Sequence, residues 1–81
     1  MNKKSEYTNY MFQNQELLEV RVARKVHGME KAEAISLIQR NDLVPRVLQE
    51  DKQFYPRTKD YISHRINLYI RKGRIFSSEI G

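Results

Sequence analysis

From residue 62 to 70 every second position is apolar or histidine: Ile62, His64, Ile66, Leu68 and Ile70 alternate with Ser63, Arg65, Asn67 and Tyr69. Side chains on a strand point to opposite faces in turn, so this run predicts a β-strand with its isoleucines on one face and Arg65, Asn67 and Tyr69 on the other. The stretch "MEKAEAISLIQR", 29–40, keeps a different period. Met29, Ala34, Leu37 and Ile38 gather on one side of a helix while Glu30, Glu33 and Arg40 face away. The acids near its start and the base at its end suit the helix dipole. Gly28 precedes this helix, and Asn41 and Asp42 supply its stop.

The segment "ELLEVRVARKV", 16–26, carries both periods. Leu18, Val20 and Val22 alternate as in a strand, whereas Leu17, Val20, Ala23 and Val26 lie near helical spacing. The β preference of valine tips the expectation towards an extended segment at 18–23. "LVPRVLQ", 43–49, predicts a short strand. Pro45 cannot donate a ladder hydrogen bond, so it belongs at the start of that strand or on an exposed edge. Residues 50–61 show no periodicity and are expected to form one long loop, a length that small domains seldom carry without a use. "RKGR" turns the chain at Gly73, and "IFSSEIG" returns as a short edge strand. Residues 1–20 form a flexible or extended lead-in and 21–81 the domain. The predicted fold is α+β: a single helix packed on a small mixed sheet, with a long exposed binding loop.

Composition narrows what this fold does. The chain has 81 residues, no cysteine and a formal net charge of +5, so a disulfide framework and a thiolate metal site are both excluded and stability must come from packing. The only histidines, His27 and His64, are not paired at helical spacing. No metal site, no cofactor and no enzymatic activity are expected. No stretch has the length of a membrane span or the apolar run of a secretion signal, which points to a cytoplasmic monomer, or to a secreted one if a precursor segment is missing.

The 55–70 stretch, "YPRTKDYISHRINLYI", sets a charged loop directly before the alternating strand. Gly28 ahead of a helix with Ala34 and Ile38 inside it, the string "TKDY", the strand "HRINLYI" and the closing "EIG" together resemble the potato inhibitor I family of serine protease inhibitors, the family of eglin c and the barley chymotrypsin inhibitor. The resemblance covers about residues 22–81. It implies that Arg57, Thr58, Lys59, Asp60 and Tyr61 form the protease-binding loop. Lys59 would take the primary specificity position and Asp60 would follow the bond offered for cleavage. It also implies that Arg65, Asn67 and Gly81 support the loop. A lysine at the primary position implies a trypsin-like serine protease as the partner. Family members carry a second supporting arginine where this chain has Asn67, which lacks both the charge and the fork geometry.

Two other readings stay open on the residues alone. A non-inhibitory interaction module would use the same fold to hold another protein. A nucleic-acid-binding domain would use Phe54, Tyr55, Tyr61, Tyr69 and Phe76, which lie among Lys52, Arg57, Lys59, Arg65, Arg71, Lys72 and Arg74, to stack bases and neutralise phosphates.

Overall fold

A computed structural model of the chain describes residues 16–81. The lead-in expected over 1–20 lies for its first fifteen residues outside the described residues. Two helices, α1 (Leu18–Lys25) and α2 (Lys31–Arg40), pack on a four-stranded mixed sheet of β1 (Val44–Glu50), β2 (Gln53–Phe54), β3 (Arg65–Arg71) and β4 (Arg74–Ile80). The spatial order is β2-β1-β3-β4, with β1 and β3 parallel and the other pairs antiparallel. The α+β class and the mixed sheet are as the sequence predicts. No helix among the described residues is long and apolar enough to cross a membrane.

The helix count differs, because 18–25 is a helix and not an extended segment. Val22, Ala23 and Val26 are buried, and they sit on one helical face that packs on β4 and β3. Of the alternating set only Val22 is buried; Leu18 is exposed and Val20 half-buried. Tertiary burial of one face therefore outweighs the local preference of the valines. Gly28, at φ +85°, ends the segment in a left-handed conformation, and its N–H donates to the Ile75 carbonyl at 2.8 Å. Helix α2 then buries Ala34 and Ile38, with Met29, Ile35 and Leu37 packed at the rim.

These helices cover one face of the sheet, where Ile66, Leu68 and Ile70 of β3 are fully buried beside Ile75 of β4. The opposite face is covered by the segment that leads back from β2 to β3. That covering accounts for the burial of Arg65 and Asn67, whose position on the outer side of the pleat would otherwise leave them in water. Ile62 and His64 depart from the predicted strand. The strand starts only at Arg65, and the two residues lie before it, Ile62 half-buried and His64 exposed.

Residues 50–61 are not one uniform loop either. Glu50 still belongs to β1, Asp51 turns the chain at φ +54°, and Gln53–Phe54 pair back on Gln49 and Glu50 before the irregular part begins at Tyr55. Pro45 lies where β2 does not reach, so β1 has an open edge there and no ladder bond is lost. Because β1 and β3 are parallel, residues 55–64 must travel back along the length of the sheet to reach the start of β3. That return path brings the loop over the polar face.

Candidate functional site: a loop fastened to the sheet

Three residues stand in a row across the loop-side face. The register pairs Arg46 of β1 with Asn67 of β3, and Asn67 with Glu79 of β4, so all three project from the same side of the sheet. Arg46 and Glu79 each bond a loop side chain, and Asn67 acts through Arg46.

Arg65 is the central support. Arg65 is buried, at 8% exposure, and a charge taken out of water needs several partners. Nε donates to the Gly81 carbonyl at 3.0 Å and Nη2 to the same oxygen; Nη2 also donates to the Asp60 carbonyl at 3.2 Å, and Nη1 reaches Asp60 Oδ2 at 3.4 Å. Gly81 therefore holds Arg65 from below, and Arg65 holds Asp60 from behind. The Gly81 carbonyl also accepts from the Ile62 N–H at 3.4 Å. Tyr61 lies against Gly81 and is itself exposed.

Asn67 does not touch the loop itself. Its Oδ1 accepts from Arg46 Nε at 2.8 Å, and Arg46 Nη1 then donates to Thr58 Oγ1 at 2.7 Å. A second arginine thus supports the loop, delivered from β1 and steered by Asn67, where the family resemblance implies one on β3. The Asn67 amide nitrogen, fully buried, has no hydrogen-bond partner among the described residues.

The third fastening runs the other way, from a loop cation to the sheet. Arg57 pairs with Glu79 through Nη2 and donates from Nη1 to the Tyr69 hydroxyl at 3.0 Å, while that hydroxyl donates to Glu79 Oε1 at 2.8 Å. Arg57, Tyr69 and Glu79 form a closed triangle.

The charges follow this geometry. The Thr58 hydroxyl is the main influence holding the Asp60 carboxyl below its ordinary value; desolvation opposes it, and the Arg65 guanidinium adds to the lowering. Burial opposes ionisation of Glu79, but hydrogen bonds from Tyr69 and Arg57, with the charges of Arg57 and Arg46, lower its pKa nonetheless. Desolvation first, and then Glu79, raise the Tyr69 phenol. Hydrogen bonds to Glu79 and Tyr69 raise the Arg57 guanidinium.

Of the five loop residues singled out in the sequence, Arg57, Thr58 and Asp60 are therefore anchored by side chain, and Tyr61 rests on Gly81. Lys59 is exposed and makes no side-chain hydrogen bond or ion pair among the described residues. An open cleft of about 370 Å³ lies along the loop, lined by Arg46, Arg57, Lys59, Asp60 and Ile80 among others.

Sequence reasoning missed Arg46, Tyr69 and Glu79 as part of this site. Arg46 is separated from Asn67 by twenty-one residues, and only the parallel register makes them neighbours. Glu79 carried a weak signal, a lone acid on a strand next to a loop with two bases.

A serine and a histidine also meet, away from the loop. His27 Nε2 lies 2.8 Å from Ser78 Oγ, but that hydroxyl donates to the Ala23 carbonyl. Ser78 then meets the imidazole with a lone pair and takes an N–H from it, so the histidine does not draw a proton from the serine as a catalytic base would. No group of three or more His, Asp or Glu side chains that could hold a metal occurs among the described residues.

Compared with known families, curated proteins and solved structures, the chain matches none.

Proposed function

We propose that this chain is a serine protease inhibitor of the potato inhibitor I kind, presenting residues 55–62 as a substrate-like strand with Lys59 at the primary specificity position. The feature that speaks most for it is the alternation at the tip: Thr58 and Asp60 are held from beneath, and Lys59 between them projects freely. A protease binds such a segment by adding it as a strand to its own cleft while one side chain fills the specificity pocket. The Lys59 ammonium reaches a carboxylate at the base of a trypsin-like pocket, and the bond offered to the catalytic serine is Lys59–Asp60.

A rigid loop gives inhibition in place of turnover. Ordering a loop on binding costs free energy, and a loop already ordered avoids that cost. After cleavage, Arg65 still holds Asp60 and Arg46 still holds Thr58, so the two new ends stay together and the nicked complex releases slowly. Two arginines from neighbouring strands supply this where a single one would leave the Thr58 side loose.

The basic and aromatic residues suit a nucleic-acid platform less well. Tyr69 is engaged by Glu79 and Arg57, Phe76 meets Tyr69 edge-on at 6.3 Å, and the Arg71 guanidinium covers the Phe76 ring at 4.1 Å. The two rings on the sheet face are thus engaged, and the exposed rings, Phe54, Tyr55 and Tyr61, lie on the edge strand and the loop.

Trypsin titrated with the wild-type chain and with Lys59→Ala tests the proposal. Stoichiometric loss of trypsin activity with the wild type, and none with the variant, is expected. Rapid and complete digestion of the wild type, or equal behaviour of the two proteins, would end it.

A further inference from the structure

The loop contains two residues that a trypsin-like pocket accepts, Arg57 and Lys59. Arginine is as good a ligand as lysine for a carboxylate at the base of such a pocket, and its planar fork adds a second hydrogen bond. Something must therefore decide which of the two is offered. We infer that Glu79 and Tyr69 are specificity-determining residues: they keep Arg57 bound to the sheet and so leave Lys59 as the only basic side chain the loop presents. This rests on the inhibitor proposal for its biological meaning, though not for its test.

The geometry is asymmetric in the required sense. To enter a specificity pocket, Arg57 would have to leave both Glu79 and the Tyr69 hydroxyl, and it would strand Tyr69 on Glu79 alone. The residue after it, Thr58, is itself fastened to Arg46 at 2.7 Å. Both sides of the Arg57–Thr58 bond are thus tied to the sheet. At Lys59–Asp60 only the second residue is tied. Arg57 is about half exposed and Glu79 somewhat less so, so the pair is within reach of solvent and its grip is modest. Exposed ion pairs contribute enough to shift a population by up to about fivefold. A bias of that size decides between two neighbouring bonds, although it would not fold a protein.

The triangle also explains an acid on a basic face. Arg46, Arg57 and Arg65 already crowd this side of the sheet, and Glu79 with the Tyr69 hydroxyl supplies the acceptors that hold the outermost of the three. The Tyr69 hydroxyl orients Glu79 towards Arg57 through its 2.8 Å hydrogen bond, so losing that hydroxyl should act in the same direction as losing the charge of Glu79.

The test is limited digestion of the full chain by trypsin, with the nicked products weighed by mass spectrometry. Wild type, Glu79→Gln and Tyr69→Phe are compared, and each is first shown to be folded by circular dichroism. The denatured chain, digested briefly, gives the preference that trypsin has for the two bonds without any fold. Relative to it, the folded wild type is expected to be nicked at Lys59–Asp60 in preference to Arg57–Thr58. In Glu79→Gln the ratio should move towards Arg57–Thr58 by about fivefold, and in Tyr69→Phe by less. An unchanged ratio in both variants, a wild type cut chiefly at Arg57–Thr58, or a loop left whole in wild type and Glu79→Gln alike would overturn the inference. Residual trypsin activity read in the same tubes separates the two ideas. A shifted nick with trypsin still fully active upholds the role of Glu79 and removes the inhibitor; inhibition with no shift does the reverse.

Discussion

Arg46 and Asn67 face each other across the parallel pair of β1 and β3, and the 2.8 Å bond between Arg46 Nε and Asn67 Oδ1 leaves Arg46 Nη1 to hold Thr58. An asparagine that cannot reach the loop thus supports it through a neighbour. The arrangement has a cost, since the Asn67 amide nitrogen is buried without a partner among the described residues, and such a group destabilises by about 1 to 3 kcal/mol. What the side chain supplies in return is the acceptor that aims Arg46 at Thr58.

Arg46→Met keeps most of the apolar stem and removes both hydrogen bonds. We expect a loss of about 1 to 3 kcal/mol in global stability, since the buried Asn67 Oδ1 loses its donor, with amide exchange at Thr58 and Lys59 accelerated beyond that. Arg46→Lys should not rescue the loop, because a single ammonium cannot serve Asn67 and Thr58 in the same fork geometry. Hydrogen exchange followed by NMR checks this, and equal protection of the loop in Arg46→Met and wild type would refute the role of Arg46.

Acid should loosen the loop before it unfolds the domain. The folded-state pKa values of Asp60 and Glu79 are both lowered, so the native state holds fewer protons than the unfolded chain and stability rises with pH. The contribution is complete above the ordinary carboxylate range, about 4 to 4.5, and is lost as pH falls through the lowered native values. Loop amide signals recorded from about pH 6 down to about pH 2 should broaden or shift in the lower half of that range, and Asp60→Asn should flatten the part of the response near Arg65. The Arg46–Thr58 contact contains no group that titrates there and should outlast the other two.

The core and the loop tip should separate cleanly in their energetics. Leu68 is fully buried between the helices and the sheet, so Leu68→Ala should cost about 2 to 5 kcal/mol. Lys59→Ala, at an exposed position without partners among the described residues, should change stability by less than about 0.5 kcal/mol while removing any binding to trypsin. Urea denaturation of the two variants distinguishes them.

Gly81 should resist substitution. Its φ of +138° disfavours any side chain, and an added Cβ would sit 3.2 Å from the Tyr61 ring. Gly81→Ala is expected to cost about 1 to 3 kcal/mol from the backbone alone and to shift the carbonyl that Arg65 needs. A thermal midpoint equal to wild type would show that the loop does not depend on this contact.

Much of the scaffold was legible in the chain. The period of Ala34, Leu37 and Ile38 gave α2, and the alternation of Ile66, Leu68 and Ile70 gave β3, because a helix or strand with one buried face must repeat its apolar residues at its own period. Pro45 was legible too, as a residue of an open edge. The segment 18–25 was not, since its valines satisfy both periods and only the place available against β4 decides between them. Nor was the hairpin at Asp51 and Lys52 visible inside what reads as an unbroken loop.

The sequence by itself determined the small α+β core, the position of the charged segment ahead of β3, and Lys59, Asp60 and Arg65 as residues worth weighing. Only the tertiary structure decided how that segment is held. The parallel register sets Arg46, Asn67 and Glu79 side by side although they are far apart in the chain, and the return path of residues 55–64 lays Arg57, Thr58 and Asp60 over the polar face. Local pattern reports which face of an element is apolar; it carries no information about which distant polar side chains will share a row, because register is fixed by packing across the whole sheet.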